Sequence, residues 1–298
     1  MLNVLSIRGG GIRGIIPCCC LMKLEQQLGG LTRDHVDYCA GTSTGALLTA
    51  AVAAGIPAAD LLKVYTEDSN KIFTPTGVIA DAKRVAEGYM YNPKNLEVVL
   101  ATVLGPAAKW TINDSTIRIM ISATAANGRN WFFVKDNPKN AGTTGSLDLI
   151  DAAVASACAP TYFNHWPIVM QGKTMSFFDG GAGGTANPAY QAAVEAFEFD
   201  TFLPAQTRLI SLGTGYFPES GNPPRGLLGT IGWVTSTLVD SSEDWVDDAI
   251  NRQWPGLMQN FNPLLPREID EADLSAIPDL VQIGQQTAAQ MDWTVILK

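Results

Sequence analysis

The feature that most constrains the fold is a pentapeptide, Gly41-Thr42-Ser43-Thr44-Gly45, that joins two apolar runs of different character. The run before it, Val36 to Ala40, has the pattern of a strand, and the Ala/Leu-rich run after it has that of a helix. Glycines at both ends allow a sharp turn from strand into helix, which lifts the central serine out of the sheet. The pattern predicts a nucleophile at Ser43, although the same residues also fit a plain helix start.

Strand-like and helical patterns alternate along the whole chain. Apolar runs predict strands over residues 1–7, 35–40, 117–123, 131–135, 166–170, 174–178 and 208–212. Helical spacing of apolar residues predicts helices over residues 12–28, 43–54, 58–70, 93–104, 147–158 and 187–197. This alternation predicts an α/β fold whose mainly parallel central sheet is flanked by helices on both sides. No repeat or obvious linker interrupts it, so we expect a single domain over residues 1–298.

The acidic balance of the chain restricts its partners. The net charge is −9 and the isoelectric point is near 4.7, whereas nucleic-acid binding needs clustered Lys and Arg. Anionic membranes would also repel the chain as a whole. No apolar stretch approaches the roughly 20 residues of a membrane span, and the apolar N-terminus is too short for a signal peptide. We expect a cytoplasmic protein, with a secreted one whose signal peptide was removed as the alternative.

The five cysteines form neither a disulfide framework nor a Cys-x-x-Cys metal pair. Three of them are consecutive, Cys18 to Cys20, and lie within the first helical pattern, so we expect reduced, small core residues. The sequence also contains no calcium-binding loop and no zinc-ligand spacing. We therefore expect no metal and no cofactor.

A glycine loop, Gly9-Gly10-Gly11-Ile12-Arg13-Gly14, follows the first strand and opens a helix. Backbone N–H groups in such a position bind negative charge. Two anions fit: a dinucleotide pyrophosphate, because the loop matches G-x-G-x-x-G, and the oxyanion of an acyl-transfer transition state. The dinucleotide interpretation needs an acid at the end of the second strand, which here ends in Ala40-Gly41 instead. An oxyanion hole is therefore favoured, and a plain tight turn is the other alternative.

A serine nucleophile needs a base, and the chain has only two histidines. His35 precedes the second strand at the end farther from Ser43, and His165 lies among bulky residues in a proline-bounded loop. Asp179 is the better candidate because it ends a strand and is followed by two glycines that allow close approach. A carboxylate near its ordinary pKa of about 3.9 is a weak base, but an apolar pocket would raise that pKa. A turn-capping aspartate is the alternative.

Taken together and in this order, the glycine loop, the Gly41 to Gly45 pentapeptide and Asp179-Gly180-Gly181 resemble the patatin-like phospholipase family. That family uses a Ser-Asp dyad without a catalytic histidine. The segment from Ala155 to Phe163 is similar to the one that precedes the family's aspartate strand. The stretches Leu227 to Trp254 and Phe261 to Pro263 are similar to its C-terminal part, so the resemblance covers nearly the whole chain.

The resemblance implies a three-layer α/β/α fold and hydrolysis of fatty acyl esters, in phospholipid or neutral lipid, without a metal or cofactor. Ser43 would attack the ester carbonyl and Asp179 would accept its proton. The implied oxyanion hole consists of Gly9, Gly10, Gly11, Arg13, Gly14 and Thr44, and the implied motif glycines are Gly41, Gly45, Gly180 and Gly181. Arg13 would either orient a phosphate head group or pair with an acid to brace the loop. Arg8 departs from the family, which commonly has an acid there, and this puts the loop geometry in doubt.

Three further hypotheses concern partners. An apolar contact with a lipid surface through Leu227, Leu228, Ile231 and Trp233 is one, and packing of that stretch in the interior is its alternative. A regulated effector, switched on by a partner or a small molecule, is the second. A nucleotide-binding module that uses Gly9 to Gly14 for phosphate is the third. The motifs do not encode the head group, the acyl chain length or the oligomeric state.

Overall fold

A computed structural model of the chain describes residues 1–74, 88–218 and 242–297. Within these ranges, eight strands form the central sheet and two form a small separate sheet. In chain order they are β1 (Leu2–Ile7), β2 (Tyr38–Thr42), β3 (Tyr89–Tyr91), β4 (Arg118–Ala125), β5 (Asn130–Val134), β6 (Thr161–Phe163), β7 (Trp166–Met170), β8 (Lys173–Asp179), β9 (Thr207–Leu212) and β10 (Met258–Phe261).

The central sheet has the strand order β10-β9-β1-β2-β4-β8-β7, and β5 pairs with β4. The four pairings from β10 to β4 are parallel, whereas β8, β7 and β5 run antiparallel to their neighbours. The expected α/β fold with a mainly parallel sheet is therefore confirmed, with an antiparallel edge beyond β4. Although β2 and β8 run in opposite directions, their last residues lie at the same level of the sheet, because Thr42 pairs with Ser122 of β4 and Asp179 pairs with the next residue, Ala123. This register brings the two candidate catalytic segments together.

Helices cover both sides of the sheet, as expected. They are α1 (Ile15–Leu28), α2 (Thr44–Ala54), α3 (Ala58–Lys63), α4 (Ser69–Ile72), α5 (Pro93–Leu104), α6 (Leu149–Ser156), α7 (Ala189–Val194), α8 (residues 242–253), α9 (Ile277–Ala289) and α10 (Trp293–Ile296). A π-helical turn, Val64–Asp68, joins α3 to α4. Within the three described ranges, none of these helices has both the length and the apolar character that a bilayer crossing requires.

The side chains of each central strand alternate between two cores. Leu5 and Ile7 of β1 enter a large core with residues of α1, α2, α5 and α6. Val4 points to the opposite side, into a small core with Val246 and Ile250 of α8 and alanines of α7. We call these sides the large-core face and the small-core face. Their existence follows from the period of two along a strand.

The three consecutive cysteines lie in α1 and are buried, and all five cysteines are free thiols. This confirms the expectation of reduced core residues. The second strand begins at Tyr38 rather than His35, because a short 3-10 turn, Thr32–Asp34, comes first. Of the stretch from Leu227 to Trp254, residues 242–254 are described, and residues 242–253 form α8. The four candidate lipid-contact residues, Leu227, Leu228, Ile231 and Trp233, lie outside the described residues.

Candidate active site

Ser43 lies at the junction of β2 and α2 in a backbone conformation that side-chain-bearing residues rarely adopt, with φ 57° and ψ −124°. The flanking glycines make the turn fit its surroundings. A Cβ on Gly41 would lie 2.0 Å from the carbonyl oxygen of Gly45, and a Cβ on Gly45 would lie 2.1 Å from that of Ile7. The motif thus forms the sharp strand-to-helix turn that the sequence predicts.

A second serine holds this turn in place. The backbone N–H of Ser43 donates a hydrogen bond of 2.9 Å to the Oγ of Ser156, which is buried at the end of α6. The segment around Ser156 belongs to the family resemblance, but no pattern in the sequence predicts this role for the residue. Because the N–H of Ser43 is used by Ser156, it is not available to a substrate oxyanion.

Some backbone N–H groups of the glycine loop are already used in hydrogen bonds within the protein, and others are not. The N–H of Gly9 donates to the carbonyl of Ala186 at 3.0 Å, and that of Arg13 donates to the carbonyl of Gly10 at 3.1 Å. Gly10 itself has φ 147°, a conformation that favours glycine. Among the described residues, no hydrogen bond partner is found for the N–H groups of Gly10, Gly11 and Thr44. These three N–H groups are the ones the loop and α2 leave available beside Ser43.

Gly14 and Thr44 connect the loop to the neighbouring helices. A Cβ on Gly14 would lie 2.4 Å from the Oγ1 of Thr44 and 2.5 Å from the hydroxyl of Tyr65, so only glycine permits this contact. The Oγ1 of Thr44 and the Tyr65 hydroxyl hydrogen-bond to each other. Gly14 therefore has a packing role here, and Tyr65 in the π-helical turn supports the start of α2.

Asp179, at the end of β8, lies against Ser43. Its carboxylate lies close enough to the Ser43 hydroxyl for that hydroxyl to lower its pKa, and it accepts a hydrogen bond of 2.7 Å from the N–H of Gly181. Only 5% of the residue is exposed. Burial, and then the negative charge of Glu271, raises the pKa of Asp179 to about 7, against the opposite effect of Ser43 and Gly181. A carboxyl with this pKa is well matched to proton transfer at neutral pH.

The turn that follows Asp179 packs tightly on β4. A Cβ on Gly180 would lie 2.3 Å from the Oγ of Ser122, and one on Gly181 would lie 3.1 Å from the Asp179 carboxylate. These glycines therefore let the turn approach β4 and its own carboxylate closely.

Neither histidine lies at the site. His35 hydrogen-bonds through Nε2 to the carbonyl of Gly29 at 2.5 Å, and His165 is exposed with its ring against Phe178. Neither ring lines the cavity beside Ser43. In the described part of the chain, Asp179 rather than either histidine is therefore the candidate base beside Ser43.

An apolar cavity of about 80 Å³ leads to Ser43. Its walls come from α2, from the helical stretch of residues 58–72 and from α5, all on the large-core face; among its lining residues are Leu48, Leu61, Ile72, Leu96, Val99 and Leu100. A narrow, apolar space of this kind suits an extended hydrocarbon chain, because burial of each methylene is favourable by about 0.8 kcal/mol.

Arg8 does not disturb the loop. Its side chain is 2% exposed and reaches α8, where Nη1 lies 2.9 Å from Glu243 and Nη2 lies 2.8 Å from Asp247. Both carboxylates raise the pKa of Arg8, while burial opposes them. The doubt about the loop geometry is therefore answered, because the cation at this position has its own partly buried acidic partners.

Arg13 braces the loop. Its Nε donates to the carbonyl of Gly10 at 3.2 Å, and its Nη2 lies 3.8 Å from the carboxylate of Glu271. The carbonyl of Glu271 accepts the N–H of Ile12 at 2.8 Å. These contacts support the second of the two roles considered for Arg13, that of pairing with an acid.

Comparison with known proteins gives one family. The model of the patatin-like phospholipase family matches residues 5–193. A cGAMP-activated phospholipase of Escherichia coli (strain TW11681) is 31% identical over 66% of this chain and 56% of that protein. Patatin-17 of Solanum cardiophyllum is 31% identical over 96% of this chain and 83% of that protein.

Among solved structures, VipD from Legionella pneumophila is similar in fold, with a TM-score of 0.51 at 12% identity over 97% of this chain and 66% of that chain. Relatives from Escherichia coli, Vibrio cholerae and Pseudomonas aeruginosa are all named cGAMP-activated phospholipases. This chain spans 56%, 69% and 62% of their respective lengths.

Proposed function

Because this chain belongs to the patatin-like phospholipase family, we propose that it hydrolyses fatty acyl esters of lipids, with Ser43 as the nucleophile and Asp179 as the base. One observation carries the proposal: a serine on a strained turn lies beside a buried carboxyl whose pKa is about 7, at the end of an apolar cavity. A carboxyl with this pKa accepts a proton at neutral pH, so the dyad needs no histidine.

The first half-reaction forms an acyl-enzyme. The Oγ of Ser43 attacks the ester carbonyl while its proton passes to the carboxylate of Asp179. The N–H groups of Gly10, Gly11 and Thr44 hold the negative charge that develops on the carbonyl oxygen. The C–O bond to the alcohol then breaks, and Asp179 returns the proton to the leaving oxygen.

The second half-reaction releases the acid. Water attacks the acyl carbonyl and gives a proton to Asp179, the same N–H groups hold the oxyanion, and the bond to Ser43 breaks. Asp179 then returns the proton to Ser43. The apolar cavity holds the acyl chain through both steps, which suits fatty acyl esters of phospholipid or neutral lipid better than short esters.

Regulation by a small molecule belongs to the same proposal. Three relatives that are 27–31% identical to this chain are named cGAMP-activated phospholipases. An assay with and without added cGAMP distinguishes a triggered enzyme from a constitutive one. The nucleotide-binding hypothesis has less support, because β2 ends in the Ser43 turn rather than in an acid.

The dyad is tested with Ser43→Ala and Asp179→Asn on a chromogenic fatty acyl ester and on extracted membrane lipids. Each variant is expected to lose activity by at least about a thousandfold, since the two groups act as a unit. His165→Ala is the matched control and is expected to stay active. A fully active Asp179→Asn, or an inactive but folded His165→Ala, would contradict the assignment of the base.

A further inference from the structure

The side chain of Arg8 is a cation that anchors the start of the glycine loop. Arg8 directly precedes Gly9 and Gly10, and its guanidinium group is bound on the small-core face. Its Nη2 donates to both carboxylate oxygens of Asp247, at 2.9 and 2.8 Å, and to the Oδ1 of Asn260 at 2.9 Å. A planar fork held by several acceptors fixes orientation better than a single contact.

Asp247 is the common acceptor of this network. Besides Arg8, its carboxylate accepts 2.9 Å from the Nδ2 of Asn187 and 2.7 Å from the Nδ2 of Asn260. Asn187 follows Ala186, whose carbonyl accepts the N–H of Gly9. One carboxylate on α8 thus joins the glycine loop, the segment that follows the Asp179 turn, and β10.

Backbone hydrogen bonds also hold the chain around Arg8. The N–H of Arg8 donates to the carbonyl of Leu212 at 3.0 Å, and the Oγ1 of Thr214 donates to the carbonyl of Gly9 at 2.5 Å. Beyond this anchor come the N–H groups of Gly10 and Gly11, for which the described residues provide no hydrogen-bond acceptor. Donors that stabilise an oxyanion work because they are held in place before the charge develops.

We propose that Asp247 is a positioning residue for the oxyanion hole: through Arg8 and Asn187 it fixes the glycine loop relative to the Asp179 turn. The inference rests on the proposed function and deepens it. Asp247 is not among the residues that line the apolar cavity. Its loss should therefore slow the chemical step and leave binding of the acyl chain nearly unchanged.

The test is Asp247→Asn, which keeps the shape of the side chain and removes its charge. We expect kcat for a fatty acyl ester to fall about 10- to 100-fold with KM within about threefold, the size expected for misplaced donors. The matched control is Asp248→Asn, the next residue of α8, whose carboxylate is exposed and pairs with Arg252. This control should retain wild-type kcat.

A second readout does not depend on the natural substrate. Ser43 is phosphonylated by a fluorophosphonate, in which the serine oxygen forms the bond to phosphorus, fluoride leaves and the proton passes to Asp179. Asp247→Asn is expected to slow this reaction by a similar factor, while the affinity for a fluorescent fatty acid in the cavity stays within about threefold. Failure of ester hydrolysis in the wild type would count against the proposed function, whereas this rate tests the position of the donors separately.

Arg8→Lys covers the case in which Asp247→Asn does not fold. Lysine keeps the charge but lacks the fork that reaches Asp247, Glu243 and Asn260 together, so a smaller loss of kcat and of phosphonylation rate is expected. The inference is overturned if folded Asp247→Asn or Arg8→Lys reacts at the wild-type rate. It is equally overturned if fatty-acid binding is lost in parallel, or if Asp248→Asn is impaired to the same degree.

Discussion

The two faces of the central sheet are built differently, although the same strands form both. The large-core face carries the apolar cavity, with Leu48, Val99 and Leu100 among its walls. On the small-core face, Arg8 is bound by Glu243 and Asp247 of α8. The reacting chain would lie on the first side, and charged groups hold the loop from the second.

This difference shows how one site can combine a desolvated base with fixed donors. An apolar surrounding disfavours the charge on Asp179 and so makes it a better proton acceptor. On this side the glycine loop is braced by Glu271, through Arg13 and the N–H of Ile12. Its first residues are also held from the other side of the sheet, where Arg8 pairs with Glu243 and Asp247, which do not line the cavity.

The largest effect is expected on the free energy of unfolding, because the site disfavours the ionised form of Asp179. The fold raises the pKa of this carboxyl from its ordinary 3.8 to about 7, so its protonated form is favoured in the folded state. Its contribution to stability is fully present below pH 3.8 and is lost as the pH rises through about 7. Asp179→Asn should therefore be more stable than the wild type at pH 8, by at most about 4 kcal/mol at 1.4 kcal/mol per pKa unit, and by less towards pH 4.

Urea unfolding at pH 4, 6 and 8 measures this difference. Asp136→Asn is a control of opposite sign, because N–H groups of Gly142 and Gly145 bind the Asp136 carboxylate and lower its pKa. That variant should lose stability at pH 8. If Asp179→Asn is no more stable than the wild type at pH 8, the large-core face does not disfavour the charge on Asp179. The contrast between the two faces is then contradicted.

A bulky residue in the cavity is expected to have the next largest effect. Val99→Trp fills space on the large-core face, and exclusion of about four methylenes from the cavity would cost about 3 kcal/mol, on the order of 100-fold in kcat/KM. The loss should appear with long acyl chains and be small with acetate esters. Val98 is the neighbouring residue on the exposed side of α5, with 62% exposure, so Val98→Trp should behave as the wild type. An equal loss for acetate esters would show that the cavity does not hold the acyl chain.

The smallest effect is expected from Glu271. Asp179 acts as a base only when ionised, so kcat/KM should fall as the pH drops below about 7. The negative charge of Glu271 contributes to the raised pKa of Asp179, and Glu271→Gln should move this decline to lower pH. Arg13 and Asp270 are the charged groups that face Glu271, and the buried thiol of Cys158 also lies near Asp179.

The pH dependence of kcat/KM in Asp270→Asn is the comparison for this variant. Asp270 is exposed and hydrogen-bonded to Tyr162, so its loss should move the profile less than that of Glu271. If the pH dependence of kcat/KM for Glu271→Gln coincides with that of the wild type, the charge of Glu271 does not contribute. Burial alone would then raise the pKa of Asp179.

The local motifs predict this site well because their geometry depends on neighbours in sequence. The Ser43 turn follows from Gly41 and Gly45, and the helix from Pro93 to Leu104 follows from its apolar spacing and an N-terminal proline. The alternation of strands and helices likewise predicts the covered sheet, although not the antiparallel edge formed by β5, β7 and β8.

Long-range contacts account for what the sequence did not predict. Whether the N–H of Gly9 is free depends on the carbonyl of Ala186, and whether Arg8 is tolerated depends on acids of α8 that lie 235 and 239 residues away. The role of Ser156 is invisible for the same reason, since its partner Ser43 is 113 residues away. No local pattern encodes such pairings.

The cysteines described in α1, β2 and beside Asp179 bear on how this protein responds to electrophiles. Burial raises the pKa of Cys19 to about 11 and those of Cys20 and Cys39 to about 12, and it raises those of Cys18 and Cys158 as well. Since the thiolate is the reactive form, these sulfurs are nearly inert towards alkylating agents and peroxide at neutral pH. Covalent labelling of the native chain should thus be selective for the hydroxyl of Ser43, with no thiol to be protected or removed beforehand.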